Sequence, residues 1–228
     1  MIPRILEPEV MDSESEAIDY NTMDHSQVNR VFVDDLLAAL APRAIGPGCG
    51  SLRILDVGTG TALIPIELCR RPGSCHVTAA DLAQSMLDVA AENIASAGLG
   101  DRISLEHLDA KRLPFNDGDF DVVMTNSILH HIPDPQECLA EMVRVVAPRG
   151  LLFVRDLLRP VTVAELVRLV ALYAGDANDS QREMFGASLH AALTLDEVQA
   201  LAIPFGITAD CVRQTTDRHW TLCWTPEG

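Results

Sequence analysis

The side chains best equipped for chemistry in this 228-residue chain stand at the ends of short apolar runs. Leu55-Asp-Val-Gly-Thr-Gly-Thr61 places Gly58 and Gly60 where a strand must turn into a helix, so the backbone can come close to a ligand at the helix N-terminus. A dinucleotide-binding fingerprint would carry its third glycine at position 63, but Leu63 stands there, and the turn is poorly suited to a pyrophosphate. Asp56, just before the turn, repels phosphate and attracts an ammonium group. Asp81 follows Gly60 by 21 residues, the spacing at which a carboxylate can chelate ribose hydroxyls in a doubly wound sheet. Asp109, beside the small Ala110, can accept from an exocyclic adenine amine. Together these residues predict a ligand that combines a nucleoside with an amino acid and carries no phosphate.

A second group could act on whatever lies beside that ligand. His130-His131 offers a base or a substrate contact, against the plainer reading that one ring packs and the other caps a turn. No third and fourth ligand can be placed beside them, so no metal is predicted. Arg155, Asp156 and Arg159 read either as an anchor for a substrate anion or as an ion pair tying a strand end to a helix. Tyr173, Arg182 and Phe185 are pocket candidates in a helical stretch, with core packing the expected fate of Phe185. Tyr20 and His25 lie in the polar stretch Asp19-Tyr-Asn-Thr-Met-Asp-His25, ahead of a helix that has its own apolar stripe, and read as a lid or as an exposed turn.

Alternating strands and helices must position these groups. Strands are predicted at Arg53–Val57, His76–Ala80, Ile103–His107, Asp121–Thr125 and Leu151–Arg155, and helices at Ala62–Arg70, Gln84–Ala97 and Pro135–Val146. Runs such as Leu-Leu-Phe-Val are apolar on both faces, as strands covered on both sides must be. The expected fold is therefore α/β, a doubly wound and mostly parallel sheet with helices on both faces. Ahead of it, residues up to about Glu16 read as a mobile arm, followed by a helix whose stripe is Val28, Phe32, Leu36 and Leu40 and which stops before Pro42 and the loop Gly46–Gly50. After Pro160 come helices near Val163–Tyr173, Gln181–Ala192 and Leu195–Ala202, then an edge pair at Cys211–Gln214 and His219–Trp224. This divides the chain into an arm and lid helix (1–50), a binding core (51–160) and a helical cap with final strands of the same domain (161–228).

Composition limits the partners. Lys and Arg number 17 against 33 Asp and Glu, a net charge of −16, which repels nucleic acid and anionic membranes at long range. No cationic leader and no unbroken bilayer-length apolar run is visible, so a cytoplasmic protein is expected, as monomer or homodimer. Six scattered cysteines, with no C-x-x-C pair, read as packed or inert thiols.

From Leu52 to Pro160 the sequence resembles the class I S-adenosylmethionine-dependent methyltransferases, and within them the small-molecule branch called type 11. Leu55-Asp-Val-Gly-Thr-Gly-Thr61, Ala80-Asp-Leu-Ala-Gln-Ser-Met86, Phe120-Asp-Val-Val, Ser127-Ile-Leu-His-His-Ile-Pro-Asp-Pro135 and Glu141-Met-Val-Arg-Val-Val-Ala-Pro-Arg-Gly150 carry the resemblance. It implies a Rossmann-like fold with an N-terminal helical lid containing Tyr20 and His25, and a helical insertion before the last strands. It implies in-line transfer of a methyl group from S-adenosyl-L-methionine to a small-molecule acceptor, leaving S-adenosyl-L-homocysteine. Asp56, Gly58, Thr59 and Gly60 would hold the methionine portion, Asp81 the ribose, Leu82 and Met86 the adenine face, and Asp109 with Ala110 its edge, with Asn126 and Ser127 below the sulfonium. His131, His130 or His25 would serve an acceptor that needs a base. Two other classes compete: a protein that binds the nucleoside, or a modified cofactor, without methyl transfer, and an NAD(P)-dependent oxidoreductase, which Leu63 disfavours.

Overall fold

The computed structural model describes residues 2–10, 12–23, 25–42 and 51–227; the Gly46–Gly50 loop and its Cys49 lie outside the described residues. Strands β1 (Leu52–Val57), β2 (Cys75–Asp81), β3 (Ile103–His107), β4 (Phe120–Asn126) and β5 (Val146–Leu157) run parallel in the order β3-β2-β1-β4-β5. β6 (Val212–Gln214) and β7 (His219–Trp224) complete a seven-stranded sheet, with β7 antiparallel to both β5 and β6.

Alternation along the strands feeds two cores. Ile54, Val122, Met124 and Phe153 pack beneath α2 (Ser26–Leu40), α3 (Leu63–Arg70) and α4 (Gln84–Ala97). Leu55, Val123, Leu152 and Val154 face α5 (Gln136–Val145) and α8 (Leu195–Ala202), where Leu139, Met142 and Val198 are fully buried. Neighbouring residues in a strand point to opposite faces, so the continuous apolar runs are the signature of a sheet covered twice. The α2 stripe docks through Phe32, Leu36 and Leu40, whereas Val28 borders a cavity instead. Among the described residues no helix is long and apolar enough to cross a membrane.

Three boundaries differ from expectation for local reasons. β5 runs from Val146 to Leu157 because α5 ends at Val145 and the chain leaves directly in extended geometry. The helix expected from Gln181, α7, spans Asp179–Ala191 because Asn178 and Gln181 close a capping box. α1 (Glu14–Thr22) begins inside the stretch expected to be a mobile arm, through a capping box between Ser13 and Glu16.

The rest of that arm is tied down as well. Arg4 donates to four backbone carbonyls, of Ala191 (2.7 Å), Ile132 (3.0 Å), Pro133 (3.1 Å) and His130 (3.3 Å), and the Ile5 amide donates to His190. Ile2 packs with Leu157, α6 (Val163–Tyr173) and α7. A guanidinium has enough donors to gather carbonyls from two separate segments, residues 130–133 and Ala191.

Strand order reverses between β1 and β4. At such a switch point the loops leave in opposite directions and open a crevice at the carboxyl ends of the strands.

Candidate active site

β1 ends in the glycine turn, whose conformation is enforced on several sides. Gly58 and Thr59 donate their amides to the Ala80 carbonyl at 2.8 and 2.9 Å, fastening the turn to β2. Gly58 has φ +71°, and a Cβ there would lie 2.0 Å from Cγ2 of Ile128, so both backbone sign and space demand glycine. Thr125 donates its hydroxyl to Val57 at 2.6 Å and fixes β4 alongside.

The two aspartates stand on either side of this turn. Asp81 accepts from the Gly60 amide at 2.7 Å with Oδ2 and from the Ala83 amide at 2.9 Å with Oδ1. Each oxygen retains acceptor capacity, so a capping role does not compete with ribose contact. Asp56 is 2% exposed and accepts from the Thr59 hydroxyl at 2.7 Å; burial pushes its carboxyl up to about 7. Gly58, Gly60, Asp81, Leu82, Met86, Asp109, Ala110, Asn126 and Ser127 line one cleft, and Asp56, Gly58, Thr59 and Asn126 line the small hollow adjoining it. The eleven residues expected to contact the cofactor therefore share one continuous region. Thr61 Oγ1 and Asn126 Oδ1 are buried there without hydrogen-bond partners. Two carboxylates, unpaired polar atoms and a side-chain-free backbone fit a nucleoside carrying an ammonium group better than they fit a pyrophosphate.

α1 closes over this cleft by packing Ala17 and Tyr20 on Ala83, Met86 and Val89. Asn93 donates to Asn21 and to the Thr61 carbonyl, both at 2.9 Å, latching the helix to the turn. The Tyr20 and His25 rings stack with centroids 4.6 Å apart. Burial, then the charges of Asp81 and Asp56, push the Tyr20 phenol up to about 12, so it remains a neutral donor. Further along the arm, Asp12 accepts from the Ser85 amide at 3.0 Å, Glu9 pairs with Lys111, and Glu9 and Val10 line the cleft.

A second cavity opens on the other side of Asn126 and Ser127, lined by residues including His25, Val28, His130, His131, Tyr173 and Phe185. Tyr20, Asn126, Ser127 and His131 border both this cavity and the first cleft. His130 Nδ1 lies 2.5 Å from Asp156, whose other oxygen accepts the His130 amide at 3.1 Å. Glu7 Oε1 stands 3.3 Å from His130 Nε2 and 3.2 Å from His131 Nδ1. Burial opposes a charge on His130, but Asp156 and Glu7 outweigh it and raise its pKa. Burial and then the His130 charge lower His131 to about 3, which keeps that ring neutral. Glu7, His130 and His131 also bring three possible metal-ligating atoms within 4.8 Å of one another, the third ligand that sequence could not place. Asp156 on Nδ1 favours a positive charge on His130, whereas the nearby Arg4 guanidinium opposes it.

The expected substrate contacts divide. Tyr173 lines the second cavity, its hydroxyl donating to Asp217 at 2.9 Å and its ring carrying the Arg218 guanidinium. Phe185 both lines the cavity and packs with the α6–α7 core. Arg155, Asp156, Arg159 and Arg182 lie outside the cavity lining. Arg155 is 3% exposed and bridges Asp35 to Thr221, Arg159 pairs with Glu197, and Arg182 donates to the Ala177 carbonyl. Arg155 and Arg159 are buried between elements, Arg182 is half-exposed at the start of α7, all three meet partners within the fold, and Asp156 contacts His130.

Glu7, Glu9, Arg4 and Ile128 were not among the expected residues. The first three act across separations such as the 187 residues between Arg4 and Ala191, and no local periodicity marks such contacts. Ile128 belongs to the Ser127–Pro135 stretch, but its role as the floor under Gly58 exists only in three dimensions.

Residues 54–150 match the family model described as a methyltransferase domain. The chain is 31% identical over 191 residues to the 27-O-demethylrifamycin SV methyltransferase of Amycolatopsis mediterranei, covering 82% of this chain and 64% of that protein. It is 34% identical over 129 residues to a ubiquinone/menaquinone biosynthesis C-methyltransferase of Roseobacter denitrificans, covering 57% of this chain and 49% of the relative. The chain thus spans between about half and two thirds of the length of these relatives. The crystal structure of an S-adenosylmethionine-dependent methyltransferase from Aquifex aeolicus superposes with a TM-score of 0.65 at 18% identity, over 92% of this chain and 97% of that one, and so shares the fold.

Proposed function

We propose that this chain, whose residues 54–150 match a methyltransferase domain, is a class I S-adenosylmethionine-dependent methyltransferase that transfers a methyl group from S-adenosyl-L-methionine to a hydroxyl of a small, largely apolar acceptor. The observation that carries this reading is the shared wall: Tyr20, Asn126, Ser127 and His131 border the nucleoside cleft on one side and the larger cavity on the other. When bound, the cofactor supplies an electrophilic methyl group on a sulfonium. Asp56 pairs with its ammonium, Asp81 accepts from the ribose hydroxyls, Met86 and Leu82 cover the adenine, and Asp109 meets its edge. α1 excludes water and holds donor and acceptor in line, which can supply much of the acceleration.

Residues 161–228 provide the acceptor side, where Leu172, Met184 and Phe185 suit an apolar, ring-bearing framework. The relatives named for a rifamycin and for quinone biosynthesis support an acceptor of this kind. His131, neutral and at the shared wall, takes the hydroxyl proton; the proton of a forming oxonium is acidic enough for a weak base to remove. The His130 ring, fixed by Asp156 and with its centroid 4.2 Å away, packs against that ring and holds it in place. His25 stacks under Tyr20 and positions the lid. With a net charge of −16, the surface favours a diffusible acceptor over nucleic acid.

Calorimetry with S-adenosylhomocysteine, NAD and NADP, followed by transfer from methyl-labelled cofactor to a panel of hydroxylated aromatic acceptors, tests the reading. Heat with S-adenosylhomocysteine alone is expected; its absence at millimolar ligand removes the cofactor assignment. Asp81→Ala should weaken S-adenosylhomocysteine by about 1.5–3 kcal/mol, the range for a carboxylate accepting from charged or multiple donors. Asp81→Asn, which keeps an acceptor for the Gly60 amide, separates ribose contact from turn stability. Unchanged affinity in folded variants would reduce Asp81 to a cap.

Affinity should also depend on pH. Asp56 titrates near 7 in the free protein, and pairing with an ammonium group requires its ionised form. Raising pH through 7 therefore tightens binding, and lowering it below 7 weakens binding by up to about tenfold per pH unit. Asp56→Asn should bind weakly with no such slope, and a flat profile in the unsubstituted protein would place the ammonium elsewhere.

A further inference from the structure

On the opposite end of the sheet from the cleft, two sulfurs face each other. Cys69 near the end of α3 and Cys75 at the start of β2 have their Sγ atoms 3.8 Å apart across the short connection between these elements. Arg102, between α4 and β3, is held against that connection by carbonyls: Nη1 donates to Cys69 O at 2.7 Å, Nε to Cys75 O at 3.3 Å and Nη2 to Gly73 O at 3.4 Å. So fixed, Nη2 also reaches Cys75 Sγ at 3.1 Å. A guanidinium and a neighbouring thiol aimed at one sulfur are the surroundings that stabilise a thiolate. Cys69 is 3% exposed, while Cys75 is partly open to solvent.

We propose that Cys69 and Cys75 form an oxidation-responsive dithiol, with Cys75 as the peroxide-reactive thiolate and Cys69 as its resolving partner. The Cys75 thiolate attacks a hydroperoxide; the S–O bond forms, the O–O bond breaks, and the departing alkoxide or hydroxide takes a proton. Cys69 then gives up its proton and attacks the Cys75 sulfur. The S–S bond forms, the S–O bond breaks, and hydroxide leaves as water. One hydroperoxide thus accepts two electrons and yields an alcohol or water, one water and one disulfide. The bridge would join α3 to β2, whose opposite ends adjoin the glycine turn and carry Asp81.

The electrostatics agree with the geometry. The hydrogen bond from Cys69 lowers Cys75 most, burial opposes it, and Arg102 adds to it, bringing the thiol down to about 6, while the same partnership raises Cys69. Burial instead pushes Cys138 up to about 12, so that thiol should be inert.

The test uses the intact, folded chain. Iodoacetamide at a series of pH values should label Cys75 first, with a midpoint well below that of an ordinary thiol. Hydrogen peroxide should then produce a Cys69–Cys75 disulfide, found by peptide mass mapping as the loss of two hydrogens and reversed by dithiothreitol. In Cys69→Ser, dimedone should trap a sulfenic acid on Cys75. Arg102→Gln should oxidise about tenfold more slowly, as its thiolate fraction falls. The proposal is overturned if Cys75 alkylates with an ordinary midpoint, if peroxide leaves both thiols free, or if Cys69→Ser traps no sulfenic acid.

Discussion

Replacing His131 by glutamine should lower kcat by about 10²- to 10⁴-fold, the usual contribution of a positioned general base, while S-adenosylhomocysteine binds with nearly unchanged affinity. The expectation rests on the position of His131 at the wall shared by the cleft and the larger cavity, 3.2 Å from Glu7. Because this imidazole is lowered to about 3, it stays neutral across the working range, and its protonation should not depress kcat until pH falls close to that value. A decline in kcat/KM between pH 8 and about 5.5 would then belong to Asp56 and cofactor binding, leaving kcat flat. His130→Gln is the companion variant, since it breaks the Asp156 contact and leaves Glu7 beside a single ring. A His131→Gln enzyme turning over a hydroxylated acceptor at the normal rate would mean that alignment alone drives the reaction, as suits an amine acceptor.

Gly58→Ala should cost comparably, but in binding. An L-residue at φ +71° costs about 1–2 kcal/mol, and overpacking a full site adds about 1–3 kcal/mol. Since the added Cβ would meet Ile128 at 2.0 Å, relief must come from the turn moving into the cleft, so much of the loss should fall on cofactor affinity. Calorimetry should show S-adenosylhomocysteine weakened by about 30-fold or more. Adding Ile128→Ala removes the clash and leaves the backbone strain, so the double variant should recover part of the affinity and the two substitutions should be non-additive. Gly58→Ala that binds within twofold of the parent would show that the turn is not held against Ile128.

What was legible beforehand had a local physical cause. Apolar runs at strand spacing, interrupted by amphipathic helices, specify a doubly covered parallel sheet because buried strands must be apolar on both faces. The observed order β3-β2-β1-β4-β5 follows that pattern, and the expected edge pair became β6 and β7. The positions of Asp56, Gly58, Asp81 and Asp109 were readable because each follows or ends a strand, and parallel strands bring their carboxyl ends to one edge. A sequence therefore specifies such a site as soon as it specifies the sheet.

Contacts between distant segments were not legible. The arm reads as mobile because its composition is polar and broken by proline, yet four carbonyls presented by the folded core capture Arg4. Arg155 and Arg159 read either as anion anchors or as ion pairs, and Arg182 as a pocket candidate on a helix, because a charge has the same local pattern whether it meets a ligand or a partner. Only the positions of Asp35, Glu197 and the Ala177 carbonyl decided which. The cysteines read as scattered for the same reason, since a sulfur–sulfur contact depends on where a turn places two side chains. By itself the sequence determined the sheet, the edge where its acidic residues gather and the glycine turn, all of which depend on residue type and short spacing. Tertiary structure alone decided that Glu7 meets the histidine pair, that Ile128 lies beneath Gly58 and that Arg102 faces Cys75, because those contacts join segments whose separation in sequence carries no trace of their distance in space.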